Sequence, residues 1–393
     1  MISFQQGTTL RDIEDAYLAL GGRDSTVRLP ASLRFGGGVG VPASMTQFLA
    51  HWSRFVDNPL LRLYGKVDSN AVEALTQEPH GIASVYFAGA IEDAVGTPVS
   101  TREALAYAVP RIRAMQASKY LDTMHGRGVF LCCFAGAKNE YLLPLYSRAQ
   151  SEALRSRDEF KTLTERIIIA CAPGIERDLA PSTLSSLGSL IYELFKNTDE
   201  HACTDESGQQ YARNVRTVMA KFVSYNVDSA KERLGEEDPS LSFFLLHNMA
   251  NRKKLRDEAG KQQFRRLTSF LEITVMDTGP GLVRRWLSKY GGATIEALSI
   301  EQEVEHVRQC FELHATTKET MGSGGGLSHV VKTLYQLNAY LRLRTGRVCL
   351  VQDFSGAKGG EFAPRHWLKG QHELPLTVGA SYSIIVPLSK NLL

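Results

Sequence analysis

No stretch of this 393-residue chain approaches the ~18 successive apolar residues of a membrane span, so no transmembrane helix is expected. Net charge is equally scarce. Forty-five basic residues against 42 acidic ones leave +3, which gives no global drive toward nucleic acid or an anionic membrane. The local basic run at Arg252, Lys253, Lys254, Arg265 and Arg266 reads as a solvated helix face. The six cysteines (132, 133, 171, 203, 310, 349) show no spacing of a disulfide scaffold or zinc ribbon, and a reducing cytoplasm is expected. The opening MISFQQGTTLRDIEDAYLALGG has neither the basic start nor the apolar run of a signal peptide, again pointing to the cytoplasm. Internal repeats and low-complexity tracts are lacking too.

What is present is enough apolar residue to fill two cores, and an α/β pattern in both halves. Strands are expected at Val27 to Leu29, Leu60 to Tyr64 and Ile82 to Ala88, with helices carrying Phe48, Leu49, Trp52 and Phe55 and spanning 101–117. The glycine run FGGGVGVP (35–42) lacks the lysine and Ser/Thr of a Walker loop and reads as a structural turn. A boundary is expected near residue 150, after the turn-rich FAGAKNEYLLPLYSR (134–148). The alternation and the strand-to-helix joint FGGGVGVPASMTQFLAHW make the first half similar to STAS-type regulatory domains. Beyond 150 come an expected strand, Arg166 to Cys171, a long helix opening at Pro181, and a polar helical insertion at about 204–268.

Three stretches hold the candidate chemistry. On the helix from Pro181, the residues Leu184, Leu187, Leu190, Ile191, Leu194 and Phe195 form one apolar stripe. Glu193, Asn197 and Glu200 share another face, at i, i+4 and i+7, so one helix offers a carboxylate beside a carboxamide. Leu271, Ile273 and Val275 then alternate as a half-buried strand that ends at Asp277 and the turn Thr278-Gly279-Pro280-Gly281. A carboxylate held there can accept from an exocyclic amine such as that of adenine, and the glycines let backbone approach the ring. In the third stretch, Gly322, Gly324, Gly325 and Gly326 precede a helix with Leu327, Val330, Val331 and Leu334 on its apolar positions. Bare N–H groups at such a helix entrance suit phosphate. The polar LHATTKETM (313–321) ahead of it, with Thr317 and Lys318, reads as a lid.

Together these motifs resemble the GHKL superfamily of gyrase-type topoisomerases, heat-shock chaperone ATPases, mismatch-repair ATPases and histidine kinases, over residues 151–393. The resemblance implies a Bergerat-type α/β sandwich with a mixed, largely antiparallel sheet closed by GASYSIIVPL (379–388), preceded by a smaller α/β domain (1–150). It further implies ATP and Mg²⁺ as cofactors. Asn197 would coordinate the Mg²⁺ that bridges the phosphates, Asp277 would read adenine, and Gly279, Gly281, Thr317, Lys318, Gly322, Gly324, Gly325, Gly326 and Leu327 would line the nucleotide. Glu193 would activate water for hydrolysis. Glu200 and His201 depart from the commoner arrangement after the asparagine, and the stretch between the first two motifs is unusually long.

The expected function is a slow ATPase that switches an unidentified protein partner, with a homodimer possible by analogy. Phosphotransfer to a partner protein is the alternative, although no helical hairpin with an acceptor histidine precedes the ATP domain, and His125 lies among glycines. A nucleotide-sensing scaffold is a third reading. His306, Cys310 and His314 share a helix face at i, i+4 and i+8, but zinc would want a fourth ligand that is not evident. Cys132 and Cys133 sit in the apolar run GVFLCCFAG and read as buried.

Overall fold

A computed structural model describes the chain except residues 21–24, 35–36, 67–68, 149–152, 235–237, 259–267, 292, 313–325, 357–359 and 389–393. Two sheets organise it, and the architecture is α/β. The first is mixed, with strands in chain order: β1 (Ile2–Ser3), β2 (Thr26–Arg28), β3 (Leu60–Arg62), β4 (Ala90–Glu92) and β5 (Pro98–Val99). Its first four strands pair in parallel and β5 returns antiparallel. Helices α1 (Leu10–Leu18), α2 (Val41–Phe55), α3 (Ser69–Thr76) and α4 (Pro79–Phe87) fill the crossovers, and α5 (Thr101–Gln116) follows.

The Ile82 to Ala88 run is therefore helical rather than the expected strand. Pro79 stands in the first turn, where its fixed φ favours a helix, and residues 79–85 are buried on every side. A helix buried all round shows no amphipathic period, so its apolar run imitates a strand.

The second sheet runs β11-β10-β9-β12-β8-β7-β6, and among the described residues every pairing in it is antiparallel, where a mixed, largely antiparallel sheet was expected. Its strands are β6 (Gly128–Phe134), β7 (Val215–Tyr225), β8 (Thr268–Asp277), β9 (Tyr340–Thr345), β10 (Val348–Asp353), β11 (Arg365–His366) and β12 (Ala380–Pro387). Its helices are α6 (Arg157–Cys171), α7 (Pro181–His201), α8 (Val227–Leu234), α9 (Pro239–Glu258), α10 (Leu282–Tyr290), α11 (Ile300–Cys310) and α12 (Gly326–Gln336). Two further expectations are corrected. Arg166 to Cys171 ends helix α6, which a Ser156/Glu159 capping box starts and which buries Phe160, Leu163, Ile167, Ile168 and Cys171. The stretch 204–268 is not wholly helical, because β7 lies inside it. The edge strand β6 also falls on the N-terminal side of the boundary expected near 150.

Strand alternation gives the second sheet two different faces. Leu271, Ile273, Val275, Leu341, Leu343, Tyr382 and Ile384 belong to the main core, on which α6, α7 and α12 pack. The intervening Glu272, Thr274, Arg342, Arg344 and Ser383 are polar yet buried, because the first half covers them. Arg344 pairs with Glu14 at 2.8 Å, Gln47 donates to Val378 O at 2.8 Å, and Gly40 N donates to the Glu272 carboxylate at 2.7 Å. Gly40 heads α2 with φ +74°, in the left-handed region that favours glycine, and a Cβ there would collide with the Arg342 guanidinium.

Candidate functional site

Helix α7 begins at Pro181 and buries Leu187, Leu190, Ile191, Leu194 and Phe195. Gly188 lets α6 approach closely, since a Cβ there would lie 2.7 Å from the Lys161 α-carbon. That approach brings Arg157, the first residue of α6, to the Glu193 carboxylate as an ion pair. Glu193 is itself only 7% exposed. Its Oε2 stands 3.2 Å from where a Cβ on Gly326 would be, so the first residue of α12 lies against the carboxylate. One turn on, Asn197 is half-buried, and its side chain lies beside the Tyr382 hydroxyl of β12. The fully buried Tyr382 hydroxyl makes no complete hydrogen bond, and burial first, then the Asp277 charge, push its pKa well up.

Asp277 closes β8 and is 6% exposed. Its Oδ1 accepts from Gly279 N at 2.9 Å, and Ala380 N also supports the carboxylate. Burial still pushes its pKa up to about 6, against the lowering effects of those two amides, Arg54 and Arg285. The following turn is fixed on all sides. Thr278 Oγ1 accepts from Val215 N at 2.9 Å, and Gly279 O accepts from Gly379 N at 2.7 Å. A Cβ on Gly279 would come within 2.6 Å of the Ala202 α-carbon, so this glycine serves the packing of the turn on the end of α7. Gly281 has φ +86° and begins α10, a conformation that favours glycine.

Two arginines hold this turn from outside. Arg54 of α2 donates to Thr278 O at 2.6 Å and lies 3.7 Å from the Tyr211 ring centroid, in cation–π geometry. Arg285 of α10 donates to His201 O at 3.0 Å and Thr204 O at 2.6 Å, tying the end of α7 to the turn.

Thus Glu193, Asn197, Asp277 and Gly326 gather around one side of α7, and Gly279 and Gly281 shape the adjoining turn. Leu327 is half-buried in the first turn of α12. Thr317, Lys318, Gly322, Gly324 and Gly325 lie outside the described residues, as does His314 of the rival metal triad. His306 Nδ1 meets Gln309 Oε1 at 3.0 Å. Among the described residues, no group of three or more His, Cys, Asp or Glu side chains could hold a metal. Cys132 and Cys133 are fully buried, and burial pushes the Cys133 thiol up to about 12.

Sequence reasoning missed Arg157, Arg54 and Tyr382. Arg157 carried a usable signal, since it follows the capping Ser156 and faces the next helix; Arg54 and Tyr382 reach the site only through tertiary pairing. Comparison of the chain with protein-family models, curated proteins and solved structures returned no match.

Proposed function

We propose that the chain binds Mg·ATP through a GHKL-type site in a Bergerat-type second domain, and that it works as a slow ATPase whose nucleotide state switches a protein partner. The supporting observation is the gathering of Glu193, Asn197, Asp277 and the α12 entrance around α7, from three separate parts of the chain. Asp277, ionised above about pH 6, offers an acceptor to the adenine amine. The start of α12 offers N–H groups and the positive end of a helix dipole to phosphate.

Asn197 supplies one hard oxygen. That donor fits Mg²⁺, which takes one or two protein oxygens when phosphates and water complete its shell. Bound there, Mg²⁺ would neutralise charge on the phosphates. In this reading Glu193 takes a proton from water, a role worth about 10²–10⁴ in rate. Its ion pair with Arg157 must loosen first, because the guanidinium occupies Oε1 of the carboxylate. Turnover is accordingly slow.

The same ion pair favours a second reading, in which the carboxylate is restrained and the bound nucleotide is sensed or its phosphate passed to a partner. Titration calorimetry of the intact protein with Mg·ATP tests the common premise, expecting one site per chain. Absence of binding heat at several temperatures defeats both readings. Phosphate release by purified protein then separates them, and stable labelling of a candidate partner by γ-labelled ATP selects transfer.

A further inference from the structure

Tyr382 lies in β12, the central strand of the second sheet, with Val275 of β8 and Leu343 of β9 directly beside it. The three side chains therefore share the face that forms the main core under α7. Tyr382 is fully buried, and its hydroxyl lacks a complete hydrogen bond. A buried hydroxyl left unmet costs free energy, whereas phenylalanine would fill the same space without that cost. Packing alone gives no reason for the oxygen.

Three polar side chains lie near it: Asn197 of α7, which is beside the hydroxyl, Asp277 of β8 and Cys310 of α11. Burial pushes the Cys310 thiol up to about 12, so an ionised Asp277 supplies the one charge among the three. In the field of that carboxylate the hydroxyl dipole turns its proton toward Asp277 and leaves its lone pairs for Asn197. An accepting oxygen must meet the Nδ2 end of the Asn197 carboxamide, since only that end donates. The Oδ1 end then points the opposite way. Asn197 is half-buried, so part of it stays accessible.

We propose that Tyr382 is a positioning residue of the nucleotide site: its hydroxyl takes Nδ2 of Asn197 and so turns Oδ1 toward a bound divalent cation. This rests on the Mg·ATP reading above. Magnesium takes oxygen ligands, and a carboxamide flipped about its last side-chain bond would present N–H groups to it instead. The hydroxyl settles that choice before the ligand arrives, which spares the cost of settling it on binding. Closed off from solvent, Tyr382 touches neither nucleotide nor metal and acts through Asn197. The residue that would read adenine and the residue that would hold the metal thus share one buried intermediary.

Calorimetric titration of ATP into the intact protein, once with excess Mg²⁺ and once with EDTA, tests the assignment. Tyr382→Phe should weaken binding about fivefold with Mg²⁺, the worth of one hydrogen bond, and leave binding in EDTA unchanged. In Asn197→Asp both ends of the side chain are oxygen, so adding Tyr382→Phe to that variant should change neither affinity. The urea midpoint of Tyr382→Phe should equal or exceed that of the parent, because the hydroxyl is unmet in the empty protein. A midpoint below the parent's, with equal weakening in Mg²⁺ and EDTA, would make Tyr382 a structural residue and overturn the proposal. Unchanged affinity for Mg·ATP in Tyr382→Phe, or an equal loss in the Asn197→Asp background, overturns it too. Tighter binding of Mg·ATP by Tyr382→Phe would mean that the hydroxyl holds Oδ1, the reverse of what is proposed. A parent protein that binds no ATP removes the nucleotide reading and this assignment together, whereas each of the other adverse results removes the assignment alone.

Discussion

Replacing Asp277 by asparagine should stabilise the empty protein at the same time as it weakens the proposed nucleotide site. Burial raises the carboxyl from 3.8 to about 6. A pKa raised on folding means that the group's stabilising effect is complete below its unfolded value and is lost as pH rises through about 6. At ~1.4 kcal/mol per unit, the ionised form costs the fold about 3 kcal/mol at pH 8. Asparagine removes this cost but has one oxygen for the two amides of Gly279 and Ala380, which forfeits about 1 kcal/mol. The net expectation is a gain of roughly 2 kcal/mol at pH 8, disappearing or reversing by about pH 4. Urea denaturation of both proteins across that range reads the difference directly, provided the m-values agree. Equal destabilisation of the variant at pH 4 and pH 8 would refute the reasoning, for it would mean that Arg54 and Arg285 outweigh desolvation. In calorimetry the same variant should bind Mg·ATP about 1–3 kcal/mol more weakly, through loss of a charge-assisted acceptor.

The remaining expectations concern the surroundings of this acid. Arg54→Ala should lower stability by about 1–2 kcal/mol through its bond to Thr278 O, and Arg54→Lys should rescue little because it lacks the flat guanidinium that meets Tyr211; thermal melts of the three proteins decide this. Glu193→Ala should keep ATP binding and lose phosphate release by about 10²–10⁴, whereas Arg157→Ala should raise release by freeing the carboxylate; unchanged release in Glu193→Ala removes the general-base role. Gly279→Ala should cost about 1–3 kcal/mol, because its methyl would meet the Ala202 backbone. A denaturation midpoint equal to that of the parent protein would show that the turn can move.

The elements around the candidate site were legible where local signals agreed with the fold. Pro181 and a one-sided apolar stripe announce α7; alternation running into Asp277 announces β8; apolar spacing after the glycines announces α12. Legibility failed where burial came from distant chain. In β7, Arg216 and Lys221 are buried and lie near Asp199 in one case and Glu272 and Glu78 in the other, whereas charge in a sequence reads as solvent-facing. Likewise the polar positions of β8 and β9 suggest a wet face, and only the first half of the chain, with Glu14, Gln47 and Gly40, turns that face into an interface. The Ile167-Ile168-Ile169 run favours a strand by its β-branching, but the capping box and tertiary packing override that preference.

Strand β6 has a consequence for how the molecule is made. All seven of its residues, GVFLCCF, are buried, and it pairs with β7 in a register that joins Phe134 to Val215. During synthesis it therefore emerges well before its partner, as an apolar, uncharged segment of the kind that pairs readily with other chains. A fragment ending at 150 would carry this segment unpaired, and one beginning at 151 would leave the β7 edge bare. The halves are thus joined by this strand as well as by the buried polar face, and neither can be expected to be a soluble unit when cut there.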